Sequence, residues 1–140
     1  MNIKNRRAHF DFFFLEDFNA GIQLSGSEVK AIRDGKISLV DSFCYFKSGE
    51  LFLKGATIPS TANHFSHDPN REKKLLLKRR ELEKIQRKLE KGTTIIVKRV
   101  FTNDRDLIKV EISLAKGKKN YDKRNTIKER DLDRESKREF

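Results

Sequence analysis

Apolar residues in this chain gather in six short runs with strand character, each closed by a polar pair or a turn signal, and the runs stop at Ala115. His9 to Leu15 and Phe18 to Leu24 are separated only by Glu16-Asp17, and Leu39 to Phe46 and Glu50 to Ile58 by Ser48-Gly49. Thr93 to Phe101 and Leu107 to Leu114 are β-branched and alternating, joined by Thr102-Asn103-Asp104-Arg105. Short runs with β-branched and aromatic residues between turn residues read as strands and hairpins.

Two helices interrupt them. Ser25 and Glu28 have capping-box spacing, Leu24 and Val29 that of a hydrophobic staple, and Gly35 stands where a left-handed residue ends a helix. From Leu75 to Lys91, Leu82, Ile85 and Leu89 recur at helical spacing before Gly92. Ser60 to Arg71 is polar, with Asp68-Pro69 as a turn, and reads as an exposed loop. A length of 140 residues supports one core. Six strands with peripheral helices suit a closed antiparallel barrel such as the oligonucleotide-binding fold, which leaves no sheet edge open; an open α+β sheet is the alternative. The expected division is a barrel over residues 1–115 and a tail over 116–140.

Charge directs the functional reading. Lys and Arg number 32 against 21 Asp and Glu, a net +11 that concentrates polyanions around the molecule. Lys4, Arg6 and Arg7 precede the first strand as a basic arm, and ten basic residues face four acids between Arg71 and Lys91. In the tail, Lys116 to Lys128 carries six basic residues and one acid around Tyr121, whereas Glu129 to Phe140 has four basic and five acidic. The first half has the makeup of an RNA-contacting strand, cations for phosphate and a ring for stacking. Thr126 and Glu129 then offer a helix start without an apolar face, so this part is expected to fold only on a partner.

Cys44 stands alone in an apolar run, which precludes an internal disulfide or a multi-cysteine zinc site and suits a reducing cytoplasm. Nowhere do 18 apolar residues run together, so no membrane segment is expected. His64, His67 and Asp68 are the one grouping suggestive of metal or acid/base chemistry, with no nucleophile motif beside them. No catalytic residue, metal or cofactor is therefore expected, and a metal-dependent nuclease is the competing reading that these three residues would serve.

Five motifs stand in collinear order: Gly21 to Lys30, Asp41-Ser42-Phe43, His67-Asp68-Pro69-Asn70-Arg71, Lys74-Leu75-Leu76-Leu77, and Ala115-Lys116-Gly117-Lys118-Lys119 followed by Tyr121-Asp122-Lys123-Arg124. Together they resemble the small protein B family of SsrA-binding proteins. The resemblance implies an oligonucleotide-binding barrel that binds the tRNA-like domain of transfer-messenger RNA and delivers it to stalled ribosomes. It also implies a tail that enters the empty messenger channel as a helix, meeting small-subunit ribosomal RNA at the decoding centre. A cytoplasmic, monomeric protein is expected. Asn5 and Leu76 match family positions implicated in RNA binding, and Asp122, Lys123 and Arg124 match the tail motif needed on the ribosome. With the basic clusters, the candidate RNA-binding set is Asn5, Arg6, Arg7, Lys30, Arg33, His67, Arg71, Lys74, Leu76 and Lys78. The candidate ribosome-binding set is Lys116, Lys118, Lys119, Tyr121, Asp122, Lys123, Arg124, Lys128 and Arg130. Two departures stand out: Asn19 where the family often has Glu, and Tyr121 where some members have His. A ribosomal or translation-factor RNA binder of similar fold is the remaining competitor, one that would not require transfer-messenger RNA.

Overall fold

A computed structural model describes residues 1–60 and 67–118. In chain order the described elements are β1 (Asn2–Lys4), α1 (Arg6–Asp11), β2 (Phe12–Ile22), α2 (Gly26–Arg33), β3 (Phe43–Lys47) and β4 (Glu50–Lys54). They continue with β5 (Lys73–Leu76), α3 (Arg79–Lys88), β6 (Thr93–Thr102) and β7 (Ile108–Gly117). Neighbouring strands run β6-β3-β4-β5-β2-β7, and β7 pairs back on β6, so six antiparallel strands close a ring with β1 added outside on β6. The closed barrel is thus the observed form, and the open-sheet alternative falls.

Local chemistry explains several elements. Ser25 Oγ accepts the Glu28 amide proton while Glu28 Oε1 accepts that of Ser25 at 2.8 Å. At the other end of α2, Lys36 N–H donates to Ala31 O and Gly35 N–H to Ile32 O, with Gly35 at φ +78°. This is the Schellman pattern, in which a left-handed glycine satisfies the last carbonyls. Ser48 and Gly49, at φ +53° and +80°, turn β3 into β4 as a primed turn matched to the strand twist.

The barrel interior holds Leu51, Leu53, Leu75, Ile95, Val97 and Ile112, with Ile32 of α2 and Ile85 of α3 packed in among them. A smaller cluster of Ala8, Ile96 and Ala115 lies under α1, with Phe12 and Phe14 against it. These two clusters explain the unbroken Ile95-Ile96-Val97 run: α1 covers β6 where it would otherwise face water, so successive side chains are buried on opposite faces.

The structure corrects the sequence reading in three places. Lys4 of the basic arm lies in β1, while Arg6 and Arg7 and the first three residues of the strand expected from His9 form α1, capped by Asn5, whose Oδ1 accepts the Ala8 amide proton at 3.2 Å. The two expected strands before Leu24 merge into the single β2, because Glu16 and Asp17 continue the strand beyond a register shift between Phe14 and Glu16. Lys73–Leu76, in part expected as helix, is β5; the ring needs a strand between β4 and β2, and Leu75 points in while Leu76 points out. Helix α3 starts only at Arg79.

β7 itself runs two residues past the boundary expected after Ala115. Ala115 is fully buried, and Lys116 and Gly117 pair with Phe13 and Phe12.

Gly55 has φ +86°, and a Cβ there would stand 2.6 Å from Asp41 O, backbone against backbone. Gly49 has a similar φ of +80° but open space around it. Gly55→Ala should therefore lower stability by about 3 kcal/mol or more, and Gly49→Ala by about 1 kcal/mol. Urea midpoints of the two variants should differ in that order.

Candidate nucleic-acid interface

Elements α2, β5 and the segment before β5 bring one group of candidate residues together. Glu28 is fully buried, yet it is charged, because Arg71 grips it with Nη2 at 2.5 Å from Oε1 and Nε at 3.1 Å from Oε2. Burial opposes that charge, but the Arg71 hydrogen bonds and the Ser25 amide outweigh it and hold the Glu28 carboxyl below its ordinary range. Arg71 also donates to the carbonyls of Gln23 and Glu72, both at 3.1 Å. Its guanidinium is thus a clamp joining the start of α2 to β5, with one flank, 40% exposed, left to solvent.

Two neighbours complete the clamp. Lys73 is fully buried and its Nζ donates to Ala56 O at 3.0 Å; burial pushes its ammonium down, with Glu28 opposing that effect. His67 reaches Ile58 O through Nε2 and Ser27 Oγ through Nδ1, both at 2.8 Å. The Ile58 carbonyl can only accept, so Nε2 carries a proton. Beside this clamp Leu76 stands 46% exposed, its Cβ 3.3 Å from where a Gly21 Cβ would be. Gly21 is the residue that lets β2 and β5 approach there.

The second group surrounds α1. Asn5 is buried, and its side chain is spent inside the protein: Nδ2 donates to Val97 O at 2.9 Å and Leu39 O at 3.3 Å, and Oδ1 accepts from Ala8. It stitches β6 to the segment before β3 where these strands pair only at Cys44↔Ile95. Arg6 and Arg7 are exposed, and Arg7 Nε pairs with Asp11 at 2.9 Å.

Of the remaining candidates, Arg33 pairs with Asp106 at 3.1 Å and Lys74 with Glu50 at 2.6 Å. Lys30 and Lys78 are exposed without an ion pair among the described residues. Lys84 and Lys88 both reach Glu16, which fastens α3 to β2 and holds the Glu16 carboxyl below its ordinary range, chiefly through the Lys88 hydrogen bond. Arg80, Arg87 and Lys91 remain exposed and unpaired among the described residues. The basic excess of Arg71 to Lys91 is therefore concentrated on the outer side of α3 rather than spread over the whole stretch.

Lys116 is exposed on β7, and Lys118 lies 5.1 Å over the Phe13 ring. Lys119, Tyr121, Asp122, Lys123, Arg124, Lys128 and Arg130 lie outside the described residues, as does His64. Sequence reading missed Glu28 and Lys73 as members of the site. The first was legible only as a helix cap and the second only as one more surface cation.

The family model described as "SmpB protein" matches residues 2–140. The SsrA-binding protein of Christiangramia forsetii is 53% identical, over 99% of this chain and 87% of that one. That of Bacteroides thetaiotaomicron is 48% identical over 100% and 95%. A chain of the solved structure described as "tmRNA-SmpB: a journey to the center of the bacterial ribosome" superposes with a TM-score of 0.74 at 38% identity, over 99% of both chains.

Glu28→Gln should cost about 1–3 kcal/mol at pH 7, since it removes the charged partner of Arg71. Because the folded carboxyl titrates below its unfolded value of about 4.3, its contribution is complete above that pH and is lost as pH falls through the folded value. Urea midpoints of wild type and variant should draw together as pH falls below that unfolded value; a gap that does not narrow at all on acidification would show that the carboxylate charge is not its source.

Proposed function

The chain belongs to the SmpB protein family, and on that premise we propose how its surfaces divide the work of an SsrA-binding protein. Such a protein binds transfer-messenger RNA and acts in trans-translation on ribosomes, without catalysing a reaction of its own. The nuclease reading of His64, His67 and Asp68 is set aside on that ground.

The barrel side with Leu76, Lys74, Lys78 and the Arg71 clamp takes the tRNA-like domain. The observation that carries this is the exposed Leu76 beside Gly21, an apolar contact with the exposed Lys78 two residues on and the half-buried Arg71–Glu28 pair fixing the backbone behind it. His67 adds to this side from the segment before β5, Lys30 and Arg33 supply cations from α2, and Arg6 and Arg7 supply further phosphate contacts from α1. Asn5 serves RNA binding by holding α1 and the segment before β3, because its own donors and acceptor are engaged within the protein.

Residues from Lys116 onward, with Tyr121, Asp122, Lys123, Arg124, Lys128 and Arg130 as the working set, contact small-subunit ribosomal RNA at the decoding centre and the messenger channel. The protein acts as a cytoplasmic monomer.

The two surfaces are separable by mutation. Leu76→Asp should weaken binding to transfer-messenger RNA in a gel-shift titration. Asp122→Ala, Lys123→Ala and Arg124→Ala combined should leave that affinity within about threefold, a change under ~1 kcal/mol, and abolish tagging on stalled ribosomes. A triple variant that loses free-RNA affinity yet tags normally in RNA excess would place the tail on the RNA-binding surface instead. Truncations should end after Lys118, because a cut at Leu114 would strip Ala115 to Gly117 from β7.

A further inference from the structure

We infer that the cleft between α1, the turn before β3 and β6 receives one unpaired guanine of a bound RNA, an inference that rests on the RNA-binding reading and adds a base-specific contact to it. The cleft measures about 310 Å³ and is lined by Phe12, Phe43 and Ile96 on its apolar side and by Arg7, Asp11 and Asp41 among its polar residues. That volume lies at the lower end of the ~300–1,000 Å³ of small-molecule sites, the scale of a single nucleoside.

The walls are held in place before any ligand arrives. Leu39 O accepts from Ser42 N–H at 3.1 Å, Ser42 Oγ at 2.7 Å and Asn5 Nδ2 at 3.3 Å, so the turn is tied to α1 and to its own strand. Asp41 is kept at φ +64° against the backbone of Gly55. The charge is arranged unequally. Arg7 balances Asp11, whereas Asp41 is exposed and has no ion pair among the described residues.

An uncompensated carboxylate repels a phosphate backbone, so an RNA gains at this point only where a base supplies donors to Asp41. Guanine presents N1–H and N2–H side by side, which a carboxylate can accept together. Adenine and cytosine present a donor next to an acceptor, and uracil a donor between two acceptors, so each would set a lone pair against Asp41. Unpaired bases are recognised in this way, by their exposed edges and by stacking on aromatic rings.

The rings also continue beyond the cleft. Phe43 is 6.2 Å from Tyr45 and Tyr45 is 6.2 Å from Phe52, centroid to centroid, with Lys47 at 6.0 Å over Phe52. This row runs over the outer face of β3 and β4 and offers neighbouring nucleotides further stacking surface, with a cation at its end. Tyr45 is fixed there by donating its hydroxyl proton to Glu72.

The test uses the full chain and two labelled RNAs, r(UUGUU) and r(UUAUU), followed by fluorescence anisotropy at low salt, with transfer-messenger RNA titrated in parallel. Wild type should prefer the guanine oligonucleotide by about tenfold, or ~1.4 kcal/mol. Asp41→Asn tolerates the left-handed backbone and should erase the preference, and Phe43→Ala should weaken both RNAs. Equal affinities in wild type, or a preference that survives Asp41→Asn, would overturn the inference. If transfer-messenger RNA still binds in that case, the guanine pocket alone fails; if it does not, the underlying RNA-binding reading fails with it.

Discussion

β6 and β7 pair with each other from Thr102↔Ile108 to Thr93↔Lys116, and most of the remaining architecture is hung on their outer edges. β6 gives its free edge to β3 at Ile95 and to β1 from Arg99 to Phe101, while β7 gives its own to β2 from Phe12 to Gly21. Without this long hairpin the β3-β4-β5-β2 sheet would have two open ends. With it the ring closes and Ile95, Val97, Val110 and Ile112 supply much of the interior. Helix α1 then seals the outer face where Ile96 and Ala115 emerge. The weakest seam, between β3 and β6, is closed by the Asn5 side chain rather than by a ladder of backbone bonds.

What could be read from the sequence follows from how local each interaction is. The cap at Ser25 and Glu28 and the end of α2 at Gly35 were legible because every partner lies within a few residues. Helix α1 was not: its cap bond from Ala8 to Asn5 is local, but the Asn5 side chain is held in place by bonds to Leu39 and Val97, 34 and 92 residues away. β5 was hidden inside a helical pattern, since only ring closure requires Lys73–Leu76 to be extended.

The candidate site shows the same divide. Leu76 and the family resemblance could be read from the chain, whereas the partner of Arg71 is 43 residues away and could not be found by spacing. Net charge pointed to a polyanion, but not to which cations are spent internally: Arg71 on Glu28, Lys73 on Ala56 O, Lys84 and Lys88 on Glu16. Sorting them leaves Arg80 and Arg87 on α3, with Lys78 and Lys91 at its two ends, as the exposed and unpaired cations of this stretch among the described residues.

The position of β7 in the ring also has a mechanical consequence. This strand is held on one edge by β2 and on the other by β6 up to its last residues, Gly117 and Lys116. Tension applied to the end of β7 along the strand's own axis would load both hydrogen-bond ladders in shear, so that many bonds share the force, instead of peeling them one at a time as at a free edge.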